Sequence, residues 1–265
     1  MPPAVRYLLL QVRNPDDPMR SQEVSSFARV LRTTPDWIRV FDLLGGPLTA
    51  EHLENIDVVL LGGSGHYSVT DEGPWLDQAL DSLRLVHSER KPTFASCWGF
   101  QAMARAMGGH VVKDLNRAEL GTHRLFRTDA ARTDPVFKGI SDEFEGQMGH
   151  EDLVVELPPN ATLLASSRRV ENQAYRLDDA PVYATQFHPE LNCSDLVQRV
   201  QAYPEYIERI AGLPLDEFHQ MIRETTESEE ILRQFVRWSL SDRLPANKSG
   251  PRSKAGDDVP RPALD

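Results

Sequence analysis

Cysteine is almost missing from this chain of 265 residues, which has only Cys97 and Cys193. Two thiols in so long a chain exclude a disulfide framework and fit a reducing, cytoplasmic compartment. Positive charge is also scarce. Lys and Arg number 29 against 40 Asp and Glu, a formal net charge of -11. Phosphate backbones demand clustered cations, so no nucleic-acid partner is expected, and the acidity reads as solubility. Long apolar runs are lacking. The stretch from Met1 to Leu10 is too short to span a bilayer and has neither a basic lead-in nor a small-residue cleavage site. It reads as a first strand, with no membrane partner. There is no metal-ligand cluster, no phosphate loop of the G-x-x-x-x-G-K type and no internal repeat, so no metal and no cofactor is expected.

Apolar residues make up 40% of the chain, enough for a substantial core. Short apolar runs at Tyr7 to Val12, Trp37 to Phe41, Val58 to Leu61 and Pro92 to Ala95 read as strands. Helical spacing separates them, as in Val24, Phe27, Ala28 and Leu31, and in Leu76, Ala79, Leu80 and Leu83. Phe100 to Met107 reads as a helix closed by Gly108-Gly109. Strands alternating with helices predict an α/β fold: an open, mostly parallel sheet with helices on both faces, in the flavodoxin-like manner. Further strands are expected at Arg124 to Arg127, Leu153 to Leu157, Leu163 to Ser166 and Val182 to Phe187, and extra helices from about Ser194 to Leu240. Ser241 to Asp265 is rich in Pro, Gly, Ser, Lys and Asp and reads as a disordered tail behind a single domain spanning 1–240.

The segment Pro92-Thr-Phe-Ala-Ser-Cys97-Trp-Gly-Phe-Gln101 runs a strand directly into a helix with cysteine at the corner. Such a turn needs small neighbours, here Ala95 and Gly99, and pushes the side chain into the open. The helix start directs free N–H groups and the positive dipole end at the sulfur, which favours the attacking thiolate. The Trp98 amide would face the oxygen of a tetrahedral intermediate. On the turn alone, Cys97 reads equally as a nucleophile or as a small buried core residue.

Val182 to Glu190 is a strand ending in His188-Pro-Glu190. Two residues apart on extended backbone, His188 and Glu190 project to the same side, the arrangement of a base and the carboxylate that orients it. By itself His-x-Glu is equally a surface turn; it gains meaning from the cysteine elbow upstream. The loop Gly62-Gly63-Ser64-Gly65 follows the third strand and can bring backbone amides, Gly63 among them, to a substrate oxygen.

Taken together, these segments resemble the class I glutamine amidotransferases. Four places match in order over roughly residues 5 to 192: the Gly62-Gly63 loop, the Cys97-Trp-Gly-Phe-Gln101 elbow, the Gly149-His150-Glu151-Asp152 segment and Gln186-Phe-His188-Pro-Glu190. The chain is similar to stand-alone members that resemble the glutaminase half of GMP synthase. The resemblance implies a γ-glutamyl thioester on Cys97, proton transfer by His188, orientation by Glu190 and oxyanion amides from Gly63 and Trp98. It also implies substrate contacts from Gln101 and from Glu119, Leu120 and Gly121, and a shaping role for His150 and Asp152. The implied substrate is a small γ-glutamyl compound such as glutamine. Either a separate synthetase subunit receives the ammonia, or the protein works alone as a γ-glutamyl hydrolase or peptidase. The alternative is a non-catalytic binding or regulatory module that keeps the fold.

Two features depart from the family pattern. Ala95 stands where glycine is usual. The stretch 194–227 is a helical insertion before a segment, Glu229 to Trp238, that resembles the family's closing helix. Because the insertion leaves from beside Glu190, part of it is expected within side-chain reach of the Cys97 pocket; its helices read equally as packing onto the core and as a lid or a docking surface. Cys193 reads as incidental rather than as a redox partner of Cys97.

Overall fold

A computed structural model describes residues 5–241. The tail expected from Ser241 to Asp265 lies, apart from Ser241, outside the described residues. Eleven strands occur among them: β1 (Tyr7–Gln11), β2 (Ile38–Asp42), β3 (Val58–Leu61), β4 (Thr93–Ser96), β5 (His110–Lys113), β6 (Glu119–Arg127), β7 (Glu143–His150), β8 (Asp152–Glu156), β9 (Ala161–Ser166), β10 (Ala174–Leu177) and β11 (Val182–Thr185). Nine form one open sheet in the order β2-β1-β3-β4-β11-β10-β9-β6-β7, and β5 and β8 pair separately. From β2 to β11 every pairing is parallel; from β11 to β7 every pairing is antiparallel. Only β10 and β6 therefore run against the others. This is the open flavodoxin-like α/β sheet that the alternation predicts.

Helices cover both faces because the parallel strands are apolar on both sides. In β1, Leu8 and Leu10 face one cluster, and Tyr7 and Leu9 face the other. The first face receives Leu76, Leu80 and Leu83 of α1 (Pro74–Ser88) and Phe100 and Met103 of α2 (Trp98–Ala106). The second receives Phe27 and Val30 from the helix Met19–Leu31, and Ile231, Leu232 and Phe235 from the helix Thr226–Ser239. The last helix contains the segment that resembles the family's closing helix, and its apolar face stacks Phe235 on Phe94 and Tyr183.

Between β11 and that closing helix, α3 (Cys193–Ala202) starts with a capping box in which Asn192 accepts from the Asp195 amide. A short turn of helix and a π-helical turn, Ile207–Ala211, follow, then α4 (Leu215–Met221). This segment has its own small cluster of Leu191, Leu196, Val200, Ile207 and Phe218, apart from the two large ones. It lies against the carboxyl ends of the parallel strands.

Candidate active site

Cys97 stands at the corner between β4 and α2 with φ 52° and ψ -106°. Left-handed φ is uncommon and strained for a residue with a side chain, and such strain collects at functional turns. Its neighbours hold it there. The Cys97 amide donates to the Thr185 carbonyl of β11 at 2.8 Å, and the Gly99 amide donates to the Gly62 carbonyl at 3.1 Å. A Cβ on Gly99 would lie 2.5 Å from that of Leu61, so only glycine lets α2 pack this close to β3. Ala95 sits within β4, outside the left-handed region, so alanine fits where glycine is usual.

β11 ends at Thr185, whose hydroxyl donates to the Phe187 carbonyl at 2.8 Å and tightens the turn that carries His188. The His188 amide donates to the Gln147 carbonyl at 2.9 Å. Its ring Nδ1 lies 2.6 Å from Glu190 Oε1, and Ser96, the residue before the cysteine, donates its hydroxyl to Glu190 Oε2 at 3.1 Å. His188 and Glu190 are both buried. Burial alone would lower the His188 pKa, but the Glu190 carboxylate and the Cys97 sulfur within hydrogen-bonding reach outweigh it and push the value up to about 9. Burial would raise Glu190; the imidazole and Arg199 overcome it and hold the carboxyl well below its usual range. A 2.6 Å contact with Nδ1 leaves Nε2 for the sulfur, the tautomer that a thiol's base needs.

The sulfur opens on a cavity of about 290 Å³. Its walls come from the loop after β3, the elbow, the β7–β8 tip and the C-terminal segment through Glu205, Tyr206 and Arg209. A second, mostly apolar recess adjoins Cys97 and His188 and is lined by Gly63, Leu120, Arg199 and Tyr203. Part of the 194–227 stretch is thus within side-chain reach of Cys97. Tyr203 packs on Gly65 so closely that a Cβ there would overlap its ring, and Tyr206 donates to the Gly65 carbonyl at 3.4 Å. Arg209 pairs with Glu151 at 2.7 Å, as Lys113 does from the other side.

The residues expected at the site fall into two groups. Cys97, His188, Glu190, Gly63 and Trp98 come together; the Trp98 amide is the first of α2 and has no intrahelical acceptor. Gln101 reaches the cavity, but its amide donates inward to the Asp152 carbonyl at 2.8 Å and to Gln186 Oε1 at 3.1 Å. Of Glu119, Leu120 and Gly121, only Leu120 lines the space beside Cys97. The Glu119 carboxylate is buried and bound to His150 Nε2 at 3.1 Å and by the Gln173 amide at 2.6 Å. Gly121, at φ 102°, packs under Phe218. In this structure the Glu119 carboxylate is engaged by its own neighbours. His150 and Asp152 both line the cavity. The Asp152 carboxylate accepts from the Ser68 hydroxyl at 2.5 Å and the Val69 amide at 3.2 Å, and burial raises its pKa. Cys97 and Cys193 are both free, and burial together with Glu224 pushes the Cys193 thiol up to about 11.

Arg13, Glu23 and Arg199 escaped the sequence reading. One signal was available: Glu23 lies four and seven residues before Phe27 and Val30, on the buried face of its helix. A carboxylate in an apolar stripe announces a buried cation. Among the described residues, no group of three or more His, Cys, Asp and Glu side chains could hold a metal ion, and no helix is long and apolar enough to cross a membrane.

The sequence model of the family described as "Glutamine amidotransferase class-I" matches residues 46–200. A glutamine-hydrolyzing GMP synthase of Christiangramia forsetii is 32% identical over 162 residues, which is 61% of this chain and 30% of that protein. A subunit of the glutamine-hydrolyzing GMP synthase from Sulfolobus acidocaldarius is 33% identical over 143 residues, 54% of this chain and 72% of the relative. The chain thus spans about a third of the full-length synthase and 62% of the corresponding Methanococcus aeolicus polypeptide. A crystal structure of a glutamine amidotransferase from Thermotoga maritima superposes with a TM-score of 0.70 at 21% identity, covering 89% of this chain and 98% of that one.

Proposed function

Since the chain belongs to the class I glutamine amidotransferase family, we propose that it hydrolyses a γ-glutamyl amide through Cys97, His188 and Glu190. The observation that carries this reading is the meeting of a strained cysteine elbow with a buried imidazole–carboxylate pair at the wall of one cavity. The Cys97 thiol passes its proton to His188 and its sulfur attacks the γ-carbonyl carbon, while the carbonyl π electrons move to oxygen. The Gly63 and Trp98 amides receive that oxyanion. His188 gives its proton to the amide nitrogen, the C–N bond breaks, and ammonia or an amine departs from a γ-glutamyl thioester. Water then attacks the thioester carbon, His188 takes its proton, and the C–S bond breaks to release the γ-carboxylate. Glu190 holds the ring and stabilises the imidazolium throughout.

Glutamine is the simplest substrate that meets these needs. Several relatives are named as single subunits of a GMP synthase, which suggests that a separate synthetase subunit receives the ammonia. The C-terminal segment, which forms one wall of the cavity, is the natural surface for it. The test is ammonia release from L-glutamine and from a panel of γ-glutamyl amines by the wild type and by Cys97→Ser. Serine leaves the shape intact and removes the easily ionised nucleophile, so activity should fall by about a thousandfold or more with little change in melting temperature. Activity that persists in purified Cys97→Ser would reject the assignment.

A further inference from the structure

We propose that Arg199 of α3 is a positioning residue for this site, setting the charge against which His188 gains and loses its proton. The proposal rests on the reading of Cys97, His188 and Glu190 as a hydrolytic triad. Arg199 comes from the stretch 194–227 that the sequence reads as a helical insertion, yet it is buried and its Nη1 lies 3.2 Å from His188 Nδ1 and 3.5 Å from Glu190 Oε1.

Nδ1 cannot both donate to Glu190 and accept from a guanidinium. At 2.6 Å the Glu190 contact is the hydrogen bond. Arg199 therefore acts on the ring as a fixed positive charge. Three other groups fix it: the Gln22 side-chain oxygen accepts from its Nε at 3.1 Å, Glu190 faces Nη1, and Glu23 faces Nη2 at 3.6 Å. That last pair is too long for a hydrogen bond, so Nη2 remains a buried donor without an acceptor. The guanidinium is held for its charge and place more than for hydrogen bonds.

The groups facing His188 and Arg199 from every packed element form one cluster. Glu190 follows β11, Cys97 is at the elbow, and Glu23 is on the first helix. Arg13 follows β1 and binds Glu23 at 3.3 Å, Asp17 at 3.2 Å and the Tyr203 hydroxyl at 2.8 Å. Tyr203 donates to Asp17 at 2.6 Å and keeps its proton, since burial first and Asp17 next raise its pKa. Arg13 and Arg199 supply two positive charges; Asp17, Glu23 and Glu190 supply three negative ones. While Cys97 is uncharged, as in the thioester, the cluster is one charge negative with a neutral His188 and balanced with an imidazolium. Without Arg199 it is two charges negative, and the imidazolium is held more tightly. His188 would then shed its proton less readily, which hinders the step where it must take a proton from water. A second consequence follows from chain position. Arg199 and Tyr203 lie one turn apart on the same segment, so displacing that segment withdraws the charge from the base and the ring from Gly65 together.

The test uses the full chain carrying Cys193→Ala, so that Cys97 is the single thiol, with Arg199→Gln, Arg199→Lys and Cys97→Ala added in turn. Two profiles are read against pH: L-glutamine hydrolysis and alkylation of Cys97 by iodoacetamide. Arg199→Gln should lower kcat by about tenfold with KM changed by less than about twofold. It should also move the acid limb of both profiles upward by about half a unit to one unit. Arg199→Lys should restore most of the wild-type limb. Unmoved limbs in Arg199→Gln, failure of lysine to restore them, or loss of the fold in both variants would overturn the proposal. If the limb of alkylation moves while no variant, wild type included, hydrolyses glutamine or γ-glutamyl amines, Arg199 keeps its role and the hydrolytic reading falls. If Cys97→Ala alone abolishes hydrolysis and Arg199→Gln is indistinguishable from wild type, the hydrolytic reading stands and this one falls.

Discussion

The parallel half of the sheet and the C-terminal segment that leans on it are held by opposite means. β1, β3, β4 and β11 are buried along their whole length and wedged between two large apolar clusters. The stretch 193–221 supplies four of the five buried residues of a small cluster of its own, and besides Phe218 over Gly121 it is fastened through Arg199, Tyr203 and Arg209, each engaged with a charged partner. Apolar burial is non-directional and additive, whereas buried ion pairs repay their desolvation only while every partner is in place. Cys97 therefore rests on a tolerant scaffold, and the wall of its cavity rests on an arrangement that fails when one member is removed.

The largest effect should come from attacking the scaffold. Phe235 is fully buried against Phe94, Tyr183 and Trp238, and Phe235→Ala should cost about 3–5 kcal/mol, read as a single shifted denaturation transition. Next is Glu23→Gln, which leaves Arg13 and Arg199 short of one counter-charge. It should cost about 3 kcal/mol or somewhat less, and hydrogen exchange should concentrate the loss in residues 193–211. Uniform loss across the sheet would erase the distinction between the two regions. Gly65→Ala is a smaller and purely local perturbation. The new methyl group displaces the Tyr203 ring, so glutamine hydrolysis should fall about tenfold while the global transition moves by about 1 kcal/mol.

Acidity should separate the regions without any substitution. The His188 pKa is raised from 6.5 to about 9, so its contribution to stability is complete below about pH 6.5 and is lost as pH rises through about 9. The Glu190 pKa is lowered from 4.5, so its contribution is complete above about pH 4.5 and is lost as pH falls further. Limited proteolysis within 193–221 should accordingly be slowest between these limits and faster on either side, while the sheet stays protected. At the small end is Arg223→Ala. Its ion pair with Glu145 at 2.6 Å is exposed to solvent, and the change should be under about 1 kcal/mol and vanish in high salt.

Much of the fold is legible in the residues themselves. The strand at Val58 to Leu61 and the helix around Leu76 to Leu83 occur where periodicity places them. β7 and β10 do not show in the sequence, for a physical reason. β7 reads Glu-Phe-Glu-Gly-Gln-Met-Gly-His, with glycines and charges interrupting any alternation, and β10 has four residues. Both are strands because neighbours on either side, or β6 in the case of β7, supply the backbone hydrogen bonds.

The site divides along the same line. By itself the sequence determined the elbow at Cys97 and the His188–Glu190 pair, because each is a local pattern in which backbone geometry and residue type act within a few positions. Only the tertiary structure decided that Glu119 turns to His150, that Arg13 meets Tyr203 across 190 residues, and that Arg199 lies against His188. A charged side chain has no fixed meaning until burial removes its water. Which partner then neutralises it depends on segments brought together by the whole fold.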